Sequence, residues 1–464
     1  MSFERASCPE VSSPLPPIAQ NAAAQGQRYG LRDGLCQAVT QGAGEQYLSA
    51  FALLLQTSPF QLSILSALPQ LIGTWAQLLA VKVLRWFPDR KTLILAGTIG
   101  QAVIWLPIVL LPWWLPQWGP WLAIAGAAGY FAFNHFTTPA WNSFITDLLD
   151  PNQRGAYFAH RARIMAVVSL LTLCIGGAVL TLWKQYELAY IGFFILFSIA
   201  GGARLVSARY LTRVEDPHHL TRIQDQEGFR RFLRHRATTD FRWFVCFSGL
   251  MHVAVLIAGP FFVIYMLRDL HLSYWEYGGW LAAGILGQFL TLNRWGHFGD
   301  RFGNKALLTT TSFMVPFLPM GYLFSTNWAF LVALNFLGGI MWAGLSLGLQ
   351  NYVFDAVRPE DRAKAVALSN TINALGWSLG ALTGSWLIHT LPGEIHIGWL
   401  TAAPPSNLPF VFFLSGCLRL LVSATLIGTF HEVRITEQVP HHRLMWELPL
   451  LRTIAQFGVW KIDR

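Results

Sequence analysis

The stretch Gly296–Lys305 reads GHFGDRFGNK, and a membrane-length apolar run lies on each side of it. A charged, glycine-punctuated segment between two such runs predicts a short hairpin loop at a membrane surface. Gly303 suits the turn, and Gly296 and Gly299 allow two helices to approach closely. Asp300 can pair with a neighbouring cation or with a helix N-terminus. The alternative interpretation is a charged loop that only sets the orientation of the chain.

The composition of the whole chain favours lipid as the surrounding solvent. Of 464 residues, 53% are hydrophobic and 12% are charged, whereas a soluble domain carries about 25% charged residues. The five cysteines form no C-x-x-C pair and no Cys/His ligand spacing, so we expect no disulfide framework and no metal site. No phosphate-binding loop or other soluble-enzyme motif stands out. We therefore expect neither an enzyme nor a cofactor.

Twelve apolar segments are long enough to cross a membrane. They lie at residues 33–57, 60–84, 92–114, 120–146, 161–183, 188–210, 242–267, 275–293, 305–325, 328–350, 363–390 and 409–430. The predicted fold class is an all-α polytopic membrane protein with twelve transmembrane helices. The predicted divisions are a flexible tail at 1–30, six-helix bundles at 31–211 and 241–430, a linker at 212–240 and an amphipathic tail at 431–464.

The distribution of basic residues predicts the orientation of the chain. With both ends placed inside, 30 of the 33 Lys and Arg residues fall on the inner side. Lys184 and Arg268 fall outside, and Arg419 lies within the last span. By the positive-inside rule, both tails and the linker are expected in the cytoplasm. This placement also accounts for the net charge of +9, so we expect no nucleic-acid partner.

The two halves of the chain repeat each other. Asp147–Arg154 and Asp355–Arg362 both read D-x-x-x-P-x-x-R, at a shift of 208 residues. ARLVSARYL at 203–211 also echoes LRLLVSATLI at 418–427. Several matches in the same order predict two related six-helix bundles. In that architecture a solute site lies between the repeats, near the middle of the membrane.

The G-x-x-x-D-R-x-G-x-K pattern at 296–305 and the two D-x-x-x-P-x-x-R loops resemble signatures of the major facilitator superfamily of secondary transporters. The resemblance covers nearly all of residues 30–430 and implies transport by alternating access. It implies gating roles for Gly296, Asp300, Arg301, Gly303, Lys305, Asp147, Arg154, Asp355 and Arg362. The first-half counterpart, VLRWFPDRKTLIL at 83–95, keeps Asp89-Arg90-Lys91 but lacks the glycine frame.

Glu45 is the candidate proton carrier. It lies twelve residues beyond Asp33, about 18 Å along a helix and so near the midplane of a core of about 30 Å. Gln37, Gln41 and Ser49 share its helical face. In the superfamily, spans one, four, seven and ten line the central cavity, so the resemblance implies that Glu45 faces water. A structural carboxylate bonded to a neighbouring span is the alternative.

Polar and aromatic side chains of spans one, four and ten are the candidates for substrate binding. They are Gln37, Gln41, Ser49, Tyr130, Asn134, Thr138, Trp141, Asn142, Trp342, Ser346 and Gln350. Aromatic faces with amides suit a neutral or zwitterionic organic solute, although hydrogen bonding between helices is the alternative. His252 is the second candidate for proton handling, against a packing role. For Arg419 we expect a structural role outside the cavity.

These observations predict a secondary transporter that moves a small organic solute by alternating access and couples it to protons through Glu45. The expected location is the cell membrane, specifically the inner membrane of a bacterium. Both termini are expected in the cytoplasm. The expected partners are a small-molecule substrate, protons and membrane lipid, and the expected state is a monomer. The alternative is a protein of the same fold that no longer transports and acts as a ligand sensor or an assembly factor.

Overall fold

The computed structural model of the chain describes residues 17–83, 89–149, 154–214, 239–358, 361–391, 395–397, 400–402 and 406–433. Most of the expected linker and of the expected amphipathic tail lie outside the described residues. So do residues 84–88 of the first-half loop. The side chains of Asp147 and Arg154 also lie outside the description, although both residues belong to helices.

Twelve helical segments follow one another along the described chain. They are α1 (Pro17–Ala43, continued by Glu45–Tyr47 and Leu48–Leu54), α2 (Pro59–Val83), α3 (Arg90–Trp114), α4 (Gly119–Asp147), α5 (Arg154–Gln185), α6 (Ala189–Thr212), α7 (Thr239–Leu256, continued by Gly259–Phe261, Phe262–Ile264 and Tyr265–Asp269), α8 (Tyr274–Phe302), α9 (Asn304–Met314 and Phe317–Gly321), α10 (Trp328–Asp355), α11 (Arg362–Thr390) and α12 (Leu408–Leu426 and Ile427–Thr429). Six of these described segments, α3, α5, α6, α7, α10 and α12, are long and apolar enough to cross a membrane. The predicted all-α fold class is confirmed. A short hairpin of β1 (Ile395–Ile397) and β2 (Leu400–Ala402), which the sequence did not predict, separates α11 from α12.

The helices form two bundles. Segments α1–α6 pack mainly on one another, and so do α7–α12. The bundles meet where α2 packs on α11 and where α5 packs on α8. Because successive segments run in opposite directions, both ends of the described chain lie on one side, which we call the terminal side. The α6 and α7 ends that flank residues 215–238 lie there too, and the other side is called the opposite side.

Among the described residues, the two bundles share a hydrophobic core only on the opposite side. There, one cluster of buried residues contains Phe51 and Trp105 of the first bundle together with Phe261 and Trp280 of the second. Towards the terminal side, the described buried residues form separate clusters, one in the first bundle around Phe144 and two in the second bundle. The bundles are therefore closed against each other on the opposite side and keep their own cores on the terminal side.

The hairpin loop predicted at 296–305 is wrong in its extent. Helix α8 continues to Phe302, and only Gly303, with a φ of 92°, leaves the helical conformation before α9 begins. Trp295, Phe298 and Phe302 share one face of α8 and are buried in a common cluster. This apolar periodicity keeps the glycine-rich stretch helical, so the turn between α8 and α9 is a single residue.

The flexible tail predicted at 1–30 is also too long, because α1 begins at Pro17. Residues 17–30 contain mainly Ala and Gln, which favour a helix without supplying an apolar run. The segment is held by contacts with the first bundle. The hydroxyl of Tyr157 donates to the carbonyl of Gln27 at 3.2 Å, and Gly26 lies beside Leu148.

Helix α9 is interrupted by proline, and α12 supplies the missing hydrogen bonds. Pro316 has no N–H, so the carbonyl of Ser312 loses its helical donor. The hydroxyl of Ser423 donates to that carbonyl at 2.8 Å. An unsatisfied carbonyl in lipid is costly, so this bond stabilises the break where it occurs.

Arg419 of α12 has a related role. Its guanidinium donates to the carbonyl of Val315, at 3.4 Å, and to that of Val255, at 3.3 Å. Pro319 removes the helical donor for Val315, and Val255 lies where the regular part of α7 ends. Arg419 is 3% exposed, so its guanidinium is a buried cation. It lies at two helix ends, where partial negative charge collects. This geometry agrees with the structural role expected for it.

Candidate functional site

A cavity of about 530 Å³ lies between the two bundles. Its walls come from α1, α2 and α4 of the first bundle and from α7, α8, α10 and α11 of the second. Trp342 and Trp377, near the midpoints of α10 and α11, both line it, so the cavity lies at mid-depth in the helices. Its volume is in the range of small-molecule sites.

Aromatic and polar side chains dominate the chemistry of this cavity. The aromatic members are Phe131, Phe262, Tyr277, Trp280, Trp342 and Trp377, and the polar members are Glu45, Ser49, Ser66 and Gln70. Among the lining residues, Glu45 is the only carboxyl group, and no Lys, Arg or His belongs to the set. The cavity can therefore stack flat groups, make a few hydrogen bonds and change its charge only at Glu45.

Glu45 lies at a break in α1, which the sequence did not predict. The α-helical part of the segment ends at Ala43, and Glu45–Tyr47 form a 3-10 turn before the helix resumes. A side chain at Gly44 would collide with the ring of Trp105, so the chain can pass α3 closely only because this residue is glycine. The break rotates the second half of the segment relative to the first.

Tyr130 of α4 holds the Glu45 carboxylate. Its hydroxyl donates to Oε1 of Glu45 at 2.5 Å. The phenol ring is fully buried and packs against Trp105, with ring centroids 4.8 Å apart. Glu45 thus lines the cavity and is also bonded to a neighbouring segment, so the geometry combines the two roles that the sequence left open.

The rest of the predicted stripe on α1 divides at the break. Ser49 lines the cavity beside Glu45, whereas Gln37 and Gln41 precede the break and are not among the lining residues. Gln37 is 9% exposed, and its Oε1 has no hydrogen-bond partner among the described residues. A straight helix would have kept all four residues on one face.

The predicted residues of α4 lie mostly away from this cavity, to which α4 contributes Ala127 and Phe131. The hydroxyl of Thr138 donates to the carbonyl of Asn134 within the same helix, at 2.8 Å. Trp141 packs under the guanidinium of Arg161, 4.3 Å from the ring centroid. Asn142 is exposed. These residues lie on the part of α4 that leads to the terminal side.

On α10, Trp342 lines the cavity. The hydroxyl of Ser346 donates to the carbonyl of Ala343 at 3.2 Å, and Gln350 is exposed. His252 of α7 is not a lining residue. Its Nδ1 is 2.7 Å from the carbonyl oxygen of Ser248, and the centroid of its ring is 6.3 Å from that of Trp377.

A buried network of charges in the first bundle was missed. Asp33 is 2% exposed and lies within ion-pair distance of Arg161, at 3.2 Å, and of Arg204, at 3.3 Å. Ser207 donates to the same carboxylate at 2.6 Å, and Arg204 also donates to Gln101 at 3.0 Å. The network ties α1 to α3, α5 and α6. From the sequence, both arginines are assigned to the basic residues of the inner side of the membrane, although Arg204 lies within a predicted span.

The predicted gating residues around Gly303 contact the neighbouring helix ends of the second bundle. Asn304, at the start of α9, donates to Asp355 at 2.6 Å. The backbone N–H of Lys305 donates to Glu432 at 2.7 Å, and its ammonium lies 3.7 Å from the centroid of the Phe430 ring.

The remaining gating candidates of the second bundle lie near the same helix ends. Asp300 and Arg301 are exposed at the end of α8, and Arg301 lies over the ring of Phe302. Nε of Arg362 donates to the carbonyl of Phe354 at 3.3 Å. Gly296 lies within α8, with its nearest neighbour, Leu347, at ordinary contact distance.

Comparison with known proteins agrees with this architecture. Residues 245–441 match the model of the Major Facilitator Superfamily. The fold resembles that of nucleoside transporter NupG with a TM-score of 0.69 and 12% identity, over 89% of this chain and 100% of the other. It resembles that of a D-xylose-proton symporter with a TM-score of 0.68 and 16% identity, over 91% of this chain and 100% of the other. It also resembles a bacterial homologue of the iron transporter ferroportin in an inward-facing state (0.67, 15%, 88% and 98%). The chain is thus similar to the major facilitator superfamily over residues 245–441, and its fold resembles those of these transporters.

Two curated relatives match parts of the chain. The niacin transporter NiaP of Acinetobacter baylyi is 24% identical over 201 residues, which are 42% of this chain and 43% of the relative. A probable peptide/nitrate transporter of Arabidopsis thaliana is 25% identical over 154 residues, 32% of this chain and 31% of the relative. The matches thus span less than half the length of either relative.

Proposed function

We propose that this integral membrane protein is a secondary transporter for a small organic solute. The observation that carries the proposal is the cavity between the bundles, in which Glu45 is the only acidic or basic side chain among the described lining residues. The similar proteins are named as transporters of niacin, nucleosides and xylose, which supports a solute of comparable size. The aromatic lining favours a solute with a flat or apolar portion, and Ser49, Ser66 and Gln70 supply hydrogen bonds to its polar groups.

In the proposed orientation, the terminal side is the cytoplasmic side of a bacterial inner membrane. The charge asymmetry of the sequence supports this orientation. The protein then acts as a monomer in lipid. Its moving units are the bundles at 31–211 and 241–430, and the terminal-side turns, including Gly303, form the inner gate.

The proposed mechanism is alternating access. The core that both bundles share lies on the opposite side, whereas their terminal-side cores are separate. This arrangement fits a state that is closed to the outside. Return to an outward-open state requires the shared core to part while the two terminal-side cores approach each other.

We propose that Glu45 couples transport to protons. The Tyr130 hydroxyl donates to the carboxylate and stabilises its ionised form, while the cavity gives water and solute access to the same group. When the cavity closes around Glu45, the balance between its protonated and ionised forms changes. That difference links a proton gradient to the movement of the bundles.

The test is transport by purified protein in proteoliposomes under an imposed pH gradient. Candidate solutes come from a thermal-shift screen, because a ligand of the native state raises its apparent stability. Glu45→Gln should still bind and exchange solute but lose accumulation against a gradient. Glu187→Gln, at an exposed acid on the opposite side, is the matched control and should behave as wild type. Accumulation by Glu45→Gln equal to wild type would make Glu45 structural, and solute binding without any flux would favour the sensor alternative.

A further inference from the structure

A second cavity, of about 590 Å³, opens on the opposite side. The sequence places only two basic residues on that side, Lys184 and Arg268, and both line this one cavity. Lys184 belongs to the last turn of α5 in the first bundle. Arg268 belongs to the last turn of α7 in the second bundle. The cavity thus brings together the two cations across the boundary between the bundles.

The two cations retain hydrogen-bonding capacity in this cavity. Arg268 donates through Nε to Asp269 at 2.7 Å, and among the described residues its terminal nitrogens have no hydrogen-bond partner. The Lys184 ammonium lies 5.4 Å from the centroid of the Tyr274 ring, and no carboxylate of the described residues lies within ion-pair distance of it. An arginine fork with free donors and a lysine ammonium are the groups that bind carboxylates and phosphates.

The cavity wall contains a polar group that lacks a partner. Thr57 is 7% exposed, and its hydroxyl has no hydrogen-bond partner among the described residues. The neighbouring wall residue Pro59 begins α2, whose N-terminus carries partial positive charge, and the Ser58 hydroxyl before it accepts from the N–H of Gln61 at 3.2 Å. A ligand oxygen in this cavity would meet positive potential from the first bundle in addition to that of Lys184.

The backbone around the cavity is strained at two positions. Gln56 has a φ of 59° and His271 a φ of 53°, and both residues line the cavity. Residues other than glycine adopt this region at a cost, and such residues cluster at ligand sites and switches. Each lies on a connection between helices, Gln56 between α1 and α2 and His271 between α7 and α8.

A simpler account assigns Lys184 and Arg268 to helix stabilisation, because cations favour helix C-termini. That account explains each residue in its own helix. It does not explain why the two share a cavity with a buried hydroxyl that lacks a partner.

We propose that this cavity binds an organic anion through its carboxylate or phosphate group, with Lys184 and Arg268 as the cationic ligands. A bound anion bridges the two bundles and stabilises their closure on the opposite side. In the proposed orientation, this would be an external site, separate from the cavity at Glu45. Binding itself does not depend on the proposed transport, so it can be tested without a flux measurement.

The first test measures saturable binding of citrate and inorganic phosphate to the purified full chain, by calorimetry or thermal shift at constant ionic strength. Lys184→Gln and Arg268→Gln should each weaken binding at least about tenfold, or about 1.4 kcal/mol. Lys184→Arg should largely retain it, which separates lost charge from lost folding. Arg209→Gln, at an exposed cation near the terminal-side end of α6, is the control for net charge.

Two results would overturn the proposal: an absence of saturable binding by wild type, or an equal loss in Arg209→Gln and Lys184→Gln. A second experiment locates the site. His271→Cys, at an exposed position, should react with an impermeant maleimide beyond the labelling of wild type, and citrate should slow this additional reaction at least severalfold. No protection by a citrate concentration that saturates binding would place the anion elsewhere.

Discussion

Replacing Gly303 with alanine tests whether the single-residue turn between α8 and α9 needs glycine. Gly303 has φ 92° and ψ 156°, a region that costs a residue with a Cβ about 1–3 kcal/mol. That Cβ would also overlap the carboxylate of Glu432, which accepts a hydrogen bond from the Lys305 N–H at 2.7 Å. Loss of a charged hydrogen bond costs about 1.5–3 kcal/mol, so the total is roughly 2.5–6 kcal/mol.

The assay is thermal unfolding of the purified protein in detergent. At about 2 °C per kcal/mol, Gly303→Ala should lower the apparent Tm by roughly 5–12 °C. Gly296→Ala is the matched control, because a Cβ there meets only Leu347 at 3.9 Å, and its Tm should stay close to wild type. The double variant Gly303→Ala/Glu432→Ala removes the overlap but keeps the backbone strain and the loss of the hydrogen bond, so its Tm should stay close to that of Gly303→Ala. If Gly303→Ala and Gly296→Ala melt at the same temperature, the argument from the turn is refuted.

Three further predictions follow from buried hydrogen bonds. Tyr130→Phe keeps the ring packing but removes the hydrogen-bond donor to Glu45, so the pH profile of solute uptake should move by about one pH unit or more. An unchanged profile would mean that Tyr130 has no part in proton coupling. Asp33→Asn leaves the buried Arg204 and the part-buried Arg161 without their carboxylate and should cost about 3–5 kcal/mol, seen as a clear fall in Tm. A Tm within one degree of wild type would contradict this. Ser423→Ala leaves the carbonyl above Pro316 without a donor and should cost about 1–3 kcal/mol, whereas Thr425→Val, at an exposed intrahelical bond, should cost less; equal effects would argue against repair of the break.

The positions of the helices were predictable because their cause is local. A membrane span needs a long apolar run, and charged or proline-rich segments interrupt such runs at the ends of helices. The same reasoning failed at Gly296–Phe302, where the charges and glycines predict a loop. The i, i+3, i+7 spacing of Trp295, Phe298 and Phe302 favours the helix that forms there. It failed again at residues 17–30, where a helix forms without an apolar run and gains its contacts from the first bundle.

The candidate site was predictable only in part. Glu45, Ser49 and Trp342 line the cavity, as their positions within spans suggested. The partner of Glu45 could not be derived, because the contact between Tyr130 and Glu45 joins residues 85 positions apart. The cavity walls that come from α7, α8 and α11 of the second bundle depend on how the two bundles pack against each other. No local sequence pattern predicts that packing.

The helix breaks connect the fold to the proposed mechanism. Segments α1 and α7 are the first helices of their bundles, and both are interrupted beside the central cavity, at Gly44–Tyr47 and at Ile257–Phe261. A continuous helix buries its backbone polar groups, whereas a break exposes some of them and allows the two halves to tilt independently. In the first bundle the break places Glu45 against the cavity, and in the second it is braced by Arg419 on the carbonyl of Val255. The breaks lie in corresponding helices of the two bundles. The break in the first bundle carries the titratable Glu45, whereas the break in the second bundle is held by Arg419, so the two bundles differ at this point. In the proposed mechanism, the break in the first bundle responds to protonation of Glu45 and the break in the second bundle supports the movement.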